Sequence, residues 1–313
     1  MTSARSRAAG WVAMLTSTAA FGTSGAFAKP MIEAGWSPAS LVTARLGGAA
    51  LVLLLPALWA MRGRWGGFAS HLPHLLGYGL FAGMVAQLAF FNAAATMPVS
   101  LAILFEYLGI VWVVLWGWLV RGRQPRPLTV LGMVLAIVGL AVVVNPTAPA
   151  GLSPAGVLWG FAASLGLAVF YVVSAEADGL PPVAFVSFGL GIGALGLVTV
   201  QLLGLQPVRL STAPAALLST VIPWWAGLAE LVLVAAVLAY LTGFYGTRAL
   251  GATTASFVGL TEVLFAVAWA WILLGESITG PQAFGAAVLL GGVALVQRGS
   301  SDSLSAELPE PVG

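Results

Sequence analysis

Four ionisable residues lie inside stretches that are otherwise almost wholly apolar: Arg45, Glu106, Glu230 and Glu262. A charge at the centre of a membrane helix costs roughly 2.5–3.5 kcal/mol on insertion scales, so each needs a reason to be there. A carboxylate held away from water is suited to exchanging a proton or holding a cation, and a guanidinium presents a planar fork of donors to a carboxylate. Glu262, near the middle of its stretch, is the first candidate for a proton or cationic-substrate site. The competing reading is a hydrogen-bonded carboxylate that ties neighbouring helices together. Glu106 shares a helical face with Gly109, Val113 and Trp116 by i, i+3 and i+4 spacing, which sets a charge, a gap and an aromatic wall side by side. An ion pair with Arg45 is the alternative there. Arg45 either holds a substrate carboxylate or is paired or snorkels. Glu230 lies close to a span end, where interfacial solvation is the simpler state. Gln87, Tyr171 and Tyr240 add the polar and aromatic contacts that a small-molecule site needs. The candidate substrate-binding set is therefore Glu262, Glu106, Arg45, Gln87, Tyr171, Tyr240 and Trp116. Lys29 is placed to gate a mouth, or else to snorkel.

The elements that must carry these residues follow from composition. The 313 residues are 60% hydrophobic and only 7% charged, with a mean hydropathy of +1.01. A soluble domain carries roughly 25% charged residues, so such a chain cannot cover itself in water. Spanning a bilayer takes ~20 apolar residues per helix. Apolar windows broken by Pro, Gly or charge fall at 10–29, 39–60, 75–95, 99–120, 128–145, 154–175, 182–204, 226–247, 253–274 and 281–297. The expected fold is an all-α membrane protein of ten transmembrane helices. The longest connection, Gln206 to Trp225, is expected to include a short interfacial helix, and 299–313 a disordered tail. The first window imitates a signal peptide ending in Ala26-Phe27-Ala28, but it has the length of a span and is expected to stay as one.

Arg and Lys are enriched in cytoplasmic loops. With the N-terminus inside, nine basic residues are cytoplasmic against two, Lys29 and Arg209, outside, with Arg45 within a span. Both termini are thus expected in the cytoplasm, and the protein in the cell's inner (plasma) membrane. Cysteine is absent, no His-Glu-x-x-His pattern occurs and neither histidine lies in a span, so no enzyme, metal site or cofactor is expected.

The chain also repeats itself. Phe90 to Val144 lies on Gly243 to Gln297 without a gap, matching Trp116, Trp118, Gly122, Gly132 and Gly139 with Trp269, Trp271, Gly275, Gly285 and Gly292. More weakly, Ser37 to Leu51 lies on Pro181 to Leu195. The boundaries are 1–148 and 149–298. Five spans per half is an odd number, so the halves must be inverted with respect to each other, a recurring transporter design with its site near the midplane.

The run FGTSGAFAKP in the first span and LVTARLGGAALVLLLP in the second are similar to patterns of the drug/metabolite transporter superfamily, in particular its EamA-like members. The segment from Arg248 to Leu295, with Gly275-Glu276 closing the ninth span, resembles the most recognisable part of that family. Two departures stand out: Gly122-Arg123 is the counterpart of Gly275-Glu276, and Val263 follows Glu262 where the family often has Pro, which puts a Pro-induced break in the ninth helix in doubt. The resemblance implies secondary transport of a small-molecule substrate, metabolites, amino acids or drugs, mostly by export, with protons as a coupling ion to be tested. A passive facilitator or channel is the alternative.

Overall fold

The computed structural model describes all residues except 1–3, 121, 123, 145–152, 178, 251–254, 256–257, 278 and 307–313. Among the described residues ten helices follow one another: α1 Ala4–Glu33, α2 Pro38–Ala60, α3 Phe68–Thr96, α4 Val99–Leu119, α5 Pro127–Val144, α6 Pro154–Glu176, α7 Pro182–Leu202, α8 Trp224–Leu250, α9 Thr261–Leu274 and α10 Gly280–Ala306. Six of them, α2, α3, α4, α6, α7 and α8, have the length and hydropathy to cross a bilayer, and α5, α9 and α10 contain shorter apolar runs. α1 is the most polar of the interior helices, with Thr16, Ser17, Thr18, Thr23 and Ser24 along it. Local sequence sets several ends. Ser37 and Ser153 cap α2 and α6 through their hydroxyls, each followed by a proline in the first turn.

Two expectations need correction. The connection between α7 and α8 is a small antiparallel ribbon, Ala215–Ala216 paired with Val221–Ile222, not a helix. Pro207, Pro214 and Pro223 deprive that segment of the N–H groups a helix needs. α10 continues to Ala306, into the segment expected to be disordered, and 307–313 lie outside the described residues.

The halves interlock, because each sends its first helix into the other. α1 packs on α8 and α9, while α6 packs on α3 and α4; the pairs α2–α7 and α5–α10 complete the bundle. These contacts are reciprocal. A Cβ on Gly139 of α5 would stand 2.7 Å from the Gly285 carbonyl of α10, and one on Gly292 of α10 would stand 2.6 Å from the Gly132 carbonyl of α5. Those are the same residues that the repeat lays on one another. Likewise Gly47 faces Ala194 at 3.7 Å and Gly191 faces Ala50 at 3.7 Å. Reciprocity of this kind is what a two-fold relation between inverted halves produces. Close backbone approach across small residues is also the main source of helix cohesion in lipid.

The repeat extends to local geometry. Gly122 and Gly275 both adopt positive φ, +66° and +70°. Their N–H groups close α4 and α9 on Trp118 and Trp271, each at 3.1 Å. Glycine tolerates this left-handed turn without steric penalty. π-helical turns occur at Gly77–Val85 of α3 and Leu233–Leu238 of α8, ending at repeat-equivalent positions.

Candidate functional site

Six helices, α1, α3, α4, α6, α8 and α9, converge on a cavity of about 30 Å³. It is lined by Ser17 and Phe21 of α1, Gln87 of α3, Glu106 of α4, Phe170 and Tyr171 of α6, Tyr240 of α8 and Glu262 of α9. Both halves therefore contribute. The π turns lie directly ahead of Gln87 and Tyr240. Such wide turns shift the register of the residues after them and recur at functional positions.

α4 is interrupted at the level of the cavity, and α9 opens there on a turn of the same kind. In α4 the Ile110 N–H bonds the Tyr107 carbonyl at 3.3 Å, three residues back; in α9 the Val263 N–H bonds Leu260 at 3.2 Å in the same way. These two bonds are repeat-equivalent. That opening turn of α9 forms with Val263 in place of proline. Its physical consequence is a carbonyl, that of Gly259, passed over by the helical ladder. The Tyr107 hydroxyl donates to that carbonyl at 2.5 Å and also lies 3.1 Å from Glu262 Oε2. Gly259 is required at this point, since a Cβ would stand 2.1 Å from the Tyr171 hydroxyl oxygen.

Tyr107 has one proton and two acceptors. With Glu262 protonated, Glu262 donates to Tyr107 and Tyr107 to Gly259, so every group is satisfied. With Glu262 ionised, Tyr107 serves one acceptor and deserts the other.

Arg45 is fully buried, and its guanidinium donates to Gln87 Oε1 and to the Ala235 carbonyl within the π turn of α8. Its charge also lies 5.5 Å from the Phe91 ring and 6.0 Å from Phe21. No carboxylate pairs with it among the described residues. The ion pair with Glu106 considered from sequence is therefore absent, and Arg45 stands behind Gln87 instead of lining the cavity. Glu106, 6% exposed, lines the cavity without a hydrogen-bond partner among the described residues. Tyr240 packs edge-on against Phe21 with centroids 4.8 Å apart, and its buried hydroxyl has no partner among the described residues.

Of the predicted set, Glu262, Glu106, Gln87, Tyr171 and Tyr240 come together and Arg45 braces them from behind. Trp116 does not join them. It is 48% exposed on the flank of α4, where lipid would meet it. The face drawn from Glu106 assumed an unbroken helix, and the tightened turn at Tyr107–Leu108 rotates everything after it. Glu230 is also more enclosed than its place near a span end implied: it accepts from Thr23 at 2.5 Å, and its second oxygen is buried without a partner among the described residues. Sequence reasoning missed Tyr107, whose signal was its place directly after Glu106, and the aromatic wall of Phe21 and Phe170.

One end of the bundle is latched. Lys29, at the end of α1, bonds Glu276 Oε1 at 2.5 Å, and the other oxygen of Glu276 accepts from the Val99 N–H at the start of α4 at 3.0 Å. A single carboxylate thus joins α1, α4 and the turn after α9. An anion at a helix N-terminus is further favoured by the unsatisfied N–H groups there.

Ten helices in two interlocked repeats around a polar cavity define a multi-pass membrane transporter. The chain belongs to the EamA-like transporter family, which it matches over residues 8–145 and 154–298. A protein named as an uncharacterized transporter from Archaeoglobus fulgidus is 24% identical over 225 residues, covering 72% of this chain and 76% of that one. A solved crystal structure with 22% identity superposes with a TM-score of 0.59 over 99% of both chains, which establishes the likeness of fold.

Proposed function

We propose that the protein is a secondary transporter of the cell's inner (plasma) membrane, exporting small metabolites, amino acids or drugs by alternating access. The carrying observation is a cavity built from both halves; the ion pair that joins α1, α4 and the turn after α9 is read as the latch of its mouth. The excess of basic residues at the opposite end puts both termini in the cytoplasm, so the latch closes the outer mouth. At about 30 Å³ the cavity has room for a water or two, against the ~300 Å³ and more of ligand pockets. A metabolite enters only when the helices part. Inverted repeats supply that motion, one half rocking against the other around a fixed site.

Protons are the proposed coupling ion, exchanged at Glu262. The support is the single proton of Tyr107: its two acceptors are both served only while Glu262 carries a proton of its own. Loss of that proton leaves either the Gly259 carbonyl or the carboxylate unserved, at a cost of about 1–3 kcal/mol.

Counterflow in proteoliposomes tests the carrier. Vesicles loaded with one solute of a panel of amino acids, nucleosides and aromatic amines take up its labelled form faster than unloaded vesicles. Uptake indifferent to the far-side solute would indicate a passive pore and overturn alternating access.

A further inference from the structure

The apolar stretches hold more acid than base. Within them the described residues place three carboxylates, Glu106, Glu230 and Glu262, of which Glu106 is the buried one, against the single buried guanidinium of Arg45. That guanidinium spends its bonds on Gln87 and a backbone carbonyl, not on an acid. Two of the carboxylates, Glu106 and Glu262, line the cavity. Glu262 is in contact with Tyr107, whereas Glu106 has no hydrogen-bond partner among the described residues. An unpartnered carboxylate with 6% exposure is expensive unless something cationic arrives at it. The remaining wall is aromatic, with Phe170 packed at 5.3 Å from Tyr171 and 6.3 Å from Tyr240, ring centroid to centroid. Tyr240 adds a second unsatisfied group, a buried hydroxyl without a partner among the described residues. Ring faces attract ammonium groups, and they accommodate the apolar body of a ligand as well.

On the carrier reading above, we infer that the substrates are organic ammonium ions, with Glu106 as the anionic contact and the Phe170–Tyr171–Tyr240 wall holding an aromatic or apolar body. The ammonium group donates its N–H bonds to Glu106, and the proton on Glu262 is the charge that returns in exchange. The charged and titratable groups facing the two acids are Arg45 from α2, Tyr107 from α4, Tyr171 from α6 and Tyr240 from α8, while Glu230 faces Arg45; the polar groups that α1 and α3 present to the cavity are Ser17 and Gln87. Arg45 offsets one acid. Two acids and no cationic side chain line the cavity, so a carboxylate ligand finds no partner of opposite charge there and an anionic analogue of the same shape is rejected.

Purified full-length protein in liposomes is assayed with labelled 2-phenylethylamine, 2-phenylethanol and phenylacetate, three solutes of one shape and different charge. With an acidic interior, and counting only uptake above that of protein-free liposomes under the same gradient, which trap a weak base passively, the amine is expected to accumulate at least tenfold over the other two. Glu106→Gln lowers amine uptake at least tenfold, and Glu106→Asp restores part of it; both elute as monodisperse protein, which separates lost binding from lost folding. Preferential uptake of phenylacetate or 2-phenylethanol would overturn the ammonium assignment and leave the carrier reading intact. Amine uptake unchanged in Glu106→Gln would overturn the role of Glu106. Absence of counterflow for every solute in the wider panel would overturn the carrier reading itself.

Discussion

Lys29→Met removes the cation of the latch and keeps its aliphatic stem. The pair is close, 2.5 Å, and its side chains are 24% and 14% exposed, so solvent screens it only in part. A charge-assisted hydrogen bond is worth about 1.5–3 kcal/mol when well buried; the residual exposure brings this to about 1–2 kcal/mol. At 1.4 kcal/mol per factor of ten, the population with an open outer mouth rises roughly 5- to 30-fold. The chain lacks cysteine, so Ala82→Cys, at a cavity-lining position of α3, gives a single reporter thiol. An impermeant maleimide added outside should label that thiol faster by the same factor when Lys29→Met is also present. Glu276→Gln, which keeps an oxygen for the Val99 N–H, should give a smaller increase, and the double variant should add little to Lys29→Met. A labelling rate within twofold of the parent refutes the latch as a gate.

Glu262→Gln should flatten the pH dependence of flux with folding intact, because an amide exchanges no proton; a preserved pH profile removes the proton from Glu262. Tyr107→Phe strips the Gly259 carbonyl of its donor, and thermal unfolding in detergent should report a loss of about 1–3 kcal/mol. Gly259→Ala drives a methyl toward the Tyr171 hydroxyl at 2.1 Å and should destabilise by a similar ~1–3 kcal/mol, with Tyr171→Phe recovering part of it. Trp116→Ala, on the exposed flank of α4, should leave KM within twofold of the parent in the counterflow assay.

The helices were legible in the sequence because a span is a matter of length and apolar content, and the repeat because its small residues recur in register. Gly132, Gly139, Gly285 and Gly292 are where α5 and α10 touch, so the matched glycines were the contact itself. Interlocking was not legible: nothing in the pattern of α1 says that it packs on α8 and α9 of the other half. The acids of the site announced themselves through the expense of burial. Tyr107 was missed, and Trp116 was grouped with Glu106 because a helical wheel carries a face through a turn where the hydrogen bonds shorten to three residues. The alternatives left open for Arg45 could not be narrowed from sequence, since its partners are an amide and a carbonyl on other helices and no pattern in the chain names them.

The repeat, carried by its packing glycines and tryptophans, breaks at the cavity acids. The register that lays Tyr107 on Leu260 also lays Glu106 on Gly259 and Gly109 on Glu262, so each cavity acid has a glycine as its counterpart. Those glycines are not spare positions. A Cβ at Gly109 would lie 2.7 Å from the Ser164 carbonyl, and one at Gly259 would meet Tyr171, so neither half has room for the acid of the other. Under the proposed alternating access, two-fold related backbones would supply the two conformations of comparable energy that the cycle needs. Asymmetric acids then make the two conformations respond differently to a proton or a cation, and a ligand shifts such an equilibrium only through a difference in affinity between its states. The latch obeys the same rule, since Arg123, outside the described residues, is the sequence counterpart of Glu276. The scaffold is therefore symmetric in what it packs and asymmetric in its acids, and the proposed proton-driven exchange rests on both.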